Sequence, residues 1–195
     1  AFTLPAGRPV WPVRRPLSQL GVTLGLNVSG LLYAGGYDGG NMFGLRMDYR
    51  EFVHRFIMTM LCEPGLRVLI VPHTYAIDTR GAEDDLLASQ SVLERIGAAD
   101  SSRLSIVKRD LSETEVKATI GAVDFFVGSR LHSCIAALSQ GIPTVGVAYS
   151  HKFLDVFGSV GLADLVVDGR VATAQSAVDR ISETFRGRAR TARRV

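Results

Sequence analysis

The sequence predicts an α/β domain built on a doubly wound, mostly parallel sheet of about six strands. Three observations lead there. Short, almost wholly apolar runs recur along the chain, as in "RVLIVPH", "FFVGS" and "PTVGVAY". Stretches with an apolar residue every three or four positions lie between them, the period of a helix packed on one side. The length, 195 residues, suits one such domain with a sizeable core.

Taken in order, residues 1–21 are rich in proline and arginine and read as a leader or linker, without a signal-peptide core. Residues 22–186 form the predicted Rossmann-like domain, and 187–195 a basic tail. Thr23 to Val28 is the first strand, followed by a flexible loop, "SGLLYAGGYDGGNMFG". That loop has many glycines but lacks the Gly-Lys-Ser/Thr ending of a phosphate-binding P-loop. Asp48 opens a helix with Tyr49, Phe52, Val53, Phe56, Ile57 and Met60 on one face, and Pro64-Gly65 ends it. "RVLIVPH" is the second strand. Residues 82–96 form a helix with Leu86, Leu93 and Ile96 inward, and "LSIVKRD" is the third strand.

Ser112 stands three residues before Glu115, a capping box, with Leu111 placed to staple onto Val116. "FFVGS" gives the fourth strand, "PTVGVAY" the fifth and "LVVD" the sixth. Thr173 caps a last helix that turns Ala177, Val178, Ile181 and Phe185 inward.

Composition narrows the function classes. Hydrophobic residues make up 47% and charged residues 21%, the balance of a folded globular domain rather than a disordered chain. The net charge of +3 is small, and arginines crowd the last ten residues without interleaved aromatics, so a nucleic-acid partner is not expected. Cys62 and Cys134 fit no metal spacing and no disulfide framework, and both are expected at apolar helix positions in a reducing compartment. The chain lacks a His-Glu-x-x-His or a G-x-S-x-G motif, which argues against zinc and serine-hydrolase chemistry.

In parallel sheets of this kind ligands bind beyond the carboxyl ends of the strands. Nearly every chemically active side chain falls there. Asn27 and Ser29 end strand one, His73 strand two, Lys108 and Asp110 strand three. Ser129, Arg130, His132 and Ser133 follow strand four, and Tyr149, His151 and Lys152 follow strand five. The helix after strand four is expected to bury Leu131, Cys134, Ile135 and Leu138, which turns His132 and Ser133 off the core. A helix N-terminus attracts anions through its free N–H groups and its dipole. Arg130 adds a forked cation, Lys152 a point charge, and His132 a group able to move a proton near neutral pH. The competing expectation has Ser129 capping the helix and Arg130 paired with Asp124 or Asp155. His73 could face the same crevice; His54 is expected to be solvated and His151 to sit at the rim.

The stretch "VGSRLHSCIAALSQGIPTVGVAYSHKFLDVFGSVGL" resembles the C-terminal signature of the polysaccharide pyruvyl transferases. The matching elements are Ser129 to His132, Gly141 to Pro143, Tyr149 to Lys152 and Gly161-Leu162, with a looser likeness over about residues 22 to 168. The resemblance implies the C-terminal Rossmann-like half of a GT-B-like fold. It implies a transferase moving the pyruvyl group of phosphoenolpyruvate onto a sugar of a polysaccharide or its lipid-linked precursor, in the cytoplasm or at the inner face of the membrane. On that reading His132 and His73 are the catalytic candidates. Ser129, Arg130, Ser133, Tyr149, Lys152 and Asn27 bind substrate, with phosphoenolpyruvate the donor and no cofactor or metal. The partners implied are a sugar or polysaccharide acceptor and an N-terminal half-domain or a second copy. Two alternatives compete: a glycosyltransferase half that binds a nucleotide sugar, and a non-catalytic binding module.

Overall fold

The computed structural model describes residues 5–7, 21–75, 82–97, 101–107 and 111–195. Most of the leader, together with Lys108 and Asp110, lies outside the described residues. Six strands form one sheet: β1 (Thr23–Asn27), β2 (Arg67–Ile70), β3 (Leu104–Ile106), β4 (Phe125–Gly128), β5 (Thr144–Ala148) and β6 (Val166–Asp168). Every pairing is parallel, and the order is β3-β2-β1-β4-β5-β6. The doubly wound fold expected from the apolar runs is therefore the one observed.

The helices are α1 (Gly30–Tyr33), α2 (Tyr49–Leu61), α3 (Asp85–Ile96), α4 (Glu113–Ile120), α5 (Leu131–Leu138), α6 (His151–Ser159), α7 (Ala174–Arg186) and α8 (Arg188–Ala192). Side-chain alternation along the strands divides the core between two faces. Leu24, Leu26, Phe125 and Val127 pack with the apolar stripes of α2, α3 and α7. Phe126 and Leu69 point the other way, among Val116, Ile120, Ala136 and Ala137 of α4 and α5. Phe153 and Phe157 of α6 close against β5 so tightly that a Cβ at Gly146 would stand 2.9 Å from the Phe153 ring. No helix among the described residues is long and apolar enough to cross a membrane.

The helix starts follow local chemistry. Asp48 Oδ1 accepts the Glu51 N–H at 3.0 Å, and Thr173 caps α7 through the Ser176 N–H at 3.2 Å. The expected box at Ser112 is closed from both ends: Ser112 Oγ accepts from Glu115 N (3.4 Å) and Glu115 Oε2 accepts from Ser112 N (2.8 Å).

Several expectations change. The loop after β1 begins with the one-turn α1, whose N-cap is Ser29, and its glycine-rich remainder makes specific contacts. Asn41 brackets Leu45 with two 2.9 Å bonds, Tyr37 donates to Glu83, and the Phe43 ring packs 4.7 Å from Tyr149. On α3 the buried stripe is Asp85, Ala88, Ser89, Val92 and Ile96; Leu86 and Leu93 are only half-buried. Cys62 is exposed at the end of α2, while Cys134 is buried and its thiol is pushed up to about 12 by that burial. The basic end folds back as α8. Arg186 pairs with Glu63 at 3.0 Å, Arg194 with Asp164 at 2.7 Å, and Arg188 lies over the Phe185 ring.

Candidate functional site

The strand order reverses between β1 and β4, the neighbours at the centre of the sheet. Crevices at such switch points are where doubly wound sheets bind ligands. Here the last residues of the two strands, Asn27 and Gly128, stand side by side in register. The turns that follow therefore converge: Ser29 and α1 on one side, Ser129 and Arg130 leading into α5 on the other.

Asp85, the first residue of α3, joins these turns. Its side chain is 0% exposed. Oδ1 accepts from Gly30 N (2.8 Å), Arg130 Nε (3.2 Å) and Arg130 Nη2 (2.9 Å). Oδ2 accepts from Asn27 Nδ2 (3.1 Å), His73 N (3.2 Å) and Thr74 N (3.1 Å). A buried charge is tolerated only when paired and hydrogen-bonded, and this carboxylate is both. Arg130 also reaches the Glu83 carbonyl at 2.9 Å and is 13% exposed. The ion pair anticipated with Asp124 or Asp155 is thus made with Asp85 instead. Asp124 accepts the Thr23 N–H at 2.7 Å.

Tyr49 supports the turn from beneath. Its hydroxyl accepts the Ser29 N–H at 3.0 Å and donates to Ser129 Oγ at 2.8 Å. Burial raises this phenol well above its ordinary value, so it stays a neutral donor. Ser129 consequently does not cap α5. The N-cap is Arg130, and no side chain caps that helix.

Beside this turn opens a cavity of about 340 Å³ lined by His73, Tyr75, Glu113, Lys117, His132 and apolar residues of α4 and α5. His132 is exposed on the first turn of α5, as its helical position predicts. The His73 ring titrates below its ordinary value: burial dominates, the Asp85 charge opposes it, and His132 and Arg130 lower it further. His73 is therefore neutral at neutral pH, with a lone pair available.

The structure thus brings His73 and His132 together on one cavity, with Arg130 at the adjoining turn. It does not bring in every residue expected to bind substrate. Asn27 is fully buried, its amide spent on Arg130 N (2.9 Å), the Val71 carbonyl (3.2 Å) and Asp85, so it supports the turn. Ser133 is buried against the end of β4 and donates back to the Arg130 carbonyl at 2.7 Å. Ser129 is occupied by Tyr49. Tyr149 is half-buried between Phe43 and Phe153, and Lys152 is exposed on α6; neither lines this cavity. Asp85, Tyr49 and Lys117 were not anticipated. Asp85 carried a signal in its spacing, because it shares the Ser89, Val92 and Ile96 stripe and follows a residue, Asp84, that caps α3. Lys117, 5% exposed, sits between Val116 and Ala118 on a helix face the sequence presents as ordinary.

Residues 45–151, more than half of the chain, match the polysaccharide pyruvyl transferase family. The chain belongs to that family. A curated relative, the amylovoran biosynthesis protein AmsJ of Erwinia amylovora, is 24% identical over 125 residues, which is 64% of this chain and 29% of that protein. Solved structures of similar fold include UDP-forming α,α-trehalose-phosphate synthases. The Burkholderia xenovorans enzyme, in complex with glucose-6-phosphate, superposes with a TM-score of 0.57 at 12% identity, over 96% of this chain and 42% of that one. The Burkholderia vietnamiensis enzyme gives 0.54 at 11%, over 93% and 40%. These are GT-B glycosyltransferases, and at such identities the likeness concerns the fold alone. The chain therefore spans under a third of this relative and under half of each solved structure.

Proposed function

We propose that this domain carries the donor side of a pyruvyl transferase that moves the pyruvyl group of phosphoenolpyruvate onto a sugar of a polysaccharide or its lipid-linked precursor. The observation that carries the reading is the pair of histidines, His73 and His132, on one cavity beside Arg130 and the uncapped N-terminus of α5. Phosphoenolpyruvate brings a phosphate and a carboxylate, and the first-turn N–H groups of α5 with Arg130 suit one of them.

The chemistry divides between the histidines. His132 delivers a proton to the methylene carbon, and the double bond's electrons form that C–H bond, leaving an oxocarbenium-like centre. A sugar hydroxyl adds there and loses its proton to neutral His73. Phosphate then departs with its C–O bonding pair, and a second hydroxyl adds to the centre it leaves, closing the cyclic ketal and giving its proton to His132, which became neutral in the first step. Acid–base assistance of this kind contributes roughly 10²–10⁴-fold. The domain acts as one wall of an interdomain site, a role consistent with its share of its relatives' length; Tyr149 and Lys152 belong to the rim on the β5 side.

The test is to titrate the chain with phosphoenolpyruvate and with nucleotide sugars. The full-length protein is then assayed for phosphate release coupled to ketal formation on a sugar acceptor. Saturable phosphoenolpyruvate binding at the α5 turn supports the reading. Binding of a nucleotide sugar in its place refutes it and favours a glycosyltransferase half.

A further inference from the structure

We propose that Asp85 is the positioning residue of the anion subsite, fixing which edge of Arg130 meets the ligand. The inference rests on the donor reading above and adds a group that touches no ligand.

Its six donors come from four separate segments: the end of β1, the start of α1, the chain after β2 and the turn after β4. With three donors on each oxygen, the carboxylate has no acceptor capacity left for a substrate. The Nε–Nη2 side of Arg130 is committed to Asp85 and the Glu83 carbonyl. Among the described residues Nη1 has no hydrogen-bond partner. A guanidinium is planar and rigid, so holding one edge aims the other. Arg130 thus meets an anion with one nitrogen, while the fork itself serves the protein. His132 lies outside this arrangement, so loss of Asp85 should weaken donor binding far more than the proton transfer assigned to His132.

Two measurements test this. In the chain carrying ¹⁵N-labelled arginine, the Arg130 Nε–H should exchange slowly with solvent. It should stay protected while inorganic phosphate or phosphoenolpyruvate shifts the Nη1 resonance. In the full-length enzyme, Asp85→Asn should raise KM for phosphoenolpyruvate roughly 10- to 100-fold, the size expected for one charge-assisted contact. Turnover should stay within about threefold of wild type. Combined with Arg130→Lys, the second substitution should add little, because both act on one contact. An unchanged KM in a folded Asp85→Asn enzyme overturns the proposal. So does loss of Nε–H protection on anion binding, which would mean the ligand displaces Asp85. If Asp85→Asn fails to fold, the wild-type resonance decides alone. Absence of any shift with either anion in the wild-type chain refutes the anion subsite and the donor reading together; a wild-type shift with unaltered Asp85→Asn kinetics refutes Asp85 alone.

Discussion

Replacing Arg130 by methionine removes a charge from the centre of the switch point while keeping much of the side chain's apolar bulk. Asp85, fully buried, then loses two of its six hydrogen bonds and its counter-charge, and the Glu83 carbonyl loses a donor. Breaking a buried ion pair from one side typically costs about 3–5 kcal/mol. Four N–H bonds from Gly30, Asn27, His73 and Thr74 remain on the carboxylate, so the lower end applies, about 3 kcal/mol. For a domain of this size that lowers Tm by roughly 6–12 °C. Urea unfolding followed by circular dichroism measures it, with an unchanged m-value showing that the denatured state is not involved. Arg194→Met is the internal control. Its pair with Asp164 is 42% and 57% exposed on the two sides, and its loss should cost under about 1 kcal/mol. A cost below about 1 kcal/mol for Arg130→Met as well would refute the reasoning, since it would mean that Asp85 is adequately solvated without its partner.

Three further outcomes are expected. Gly128→Ala should destabilise by about 1–3 kcal/mol in the same assay, because the new Cβ would stand 2.6 Å from Cys134 Sγ and 2.8 Å from Ser133 Oγ. His132→Ala in the full-length enzyme should cut turnover by roughly 10²–10⁴-fold while leaving phosphoenolpyruvate binding near normal. The third concerns pH. The His73 ring has a folded pKa below its ordinary 6.5, so the unfolded chain binds the proton more readily. Its contribution to stability is complete above 6.5 and is lost as pH falls from there through the lower folded value. Stability measured from pH 7.5 downward should fall less steeply in His73→Gln than in wild type, and parallel curves would count against a buried neutral His73.

The strands were legible because a strand covered on both faces must be apolar along its length, and such runs stand out in the sequence. The turn at Ser129 to His132 was legible for a related reason. The strand ends at "FFVG", and chain order alone puts the polar residues that follow at the carboxyl edge of the sheet. The inner partners were not legible. Asp85 sits on an amphipathic helix where Leu86 and Leu93 advertise a different stripe, and nothing local reveals that its carboxylate meets Arg130, 45 residues away. Asn27 and Ser133 were read as ligand groups on the strength of their chemistry. Their polar atoms are already engaged, Asn27 by the Arg130 N–H, the Val71 carbonyl and Asp85, and Ser133 by the Arg130 carbonyl, a competition that only the folded register exposes.

The Arg-Leu-His run works because successive residues of a starting helix point about 100° apart. Arg130, still extended at the N-cap, turns its guanidinium back under the crevice toward Asp85. Leu131 enters the helix against the cluster that holds Phe153 and Leu162, which fixes the rotation of α5. That rotation presents His132 to the cavity shared with His73 and buries Ser133 beneath it. Moving the histidine to position 131 would place it in the apolar cluster, and moving it to 133 would bury it against the end of β4. The order of the three residues therefore follows from one helix rotation. It separates a cation anchored on Asp85 from a solvent-facing proton carrier within a single turn.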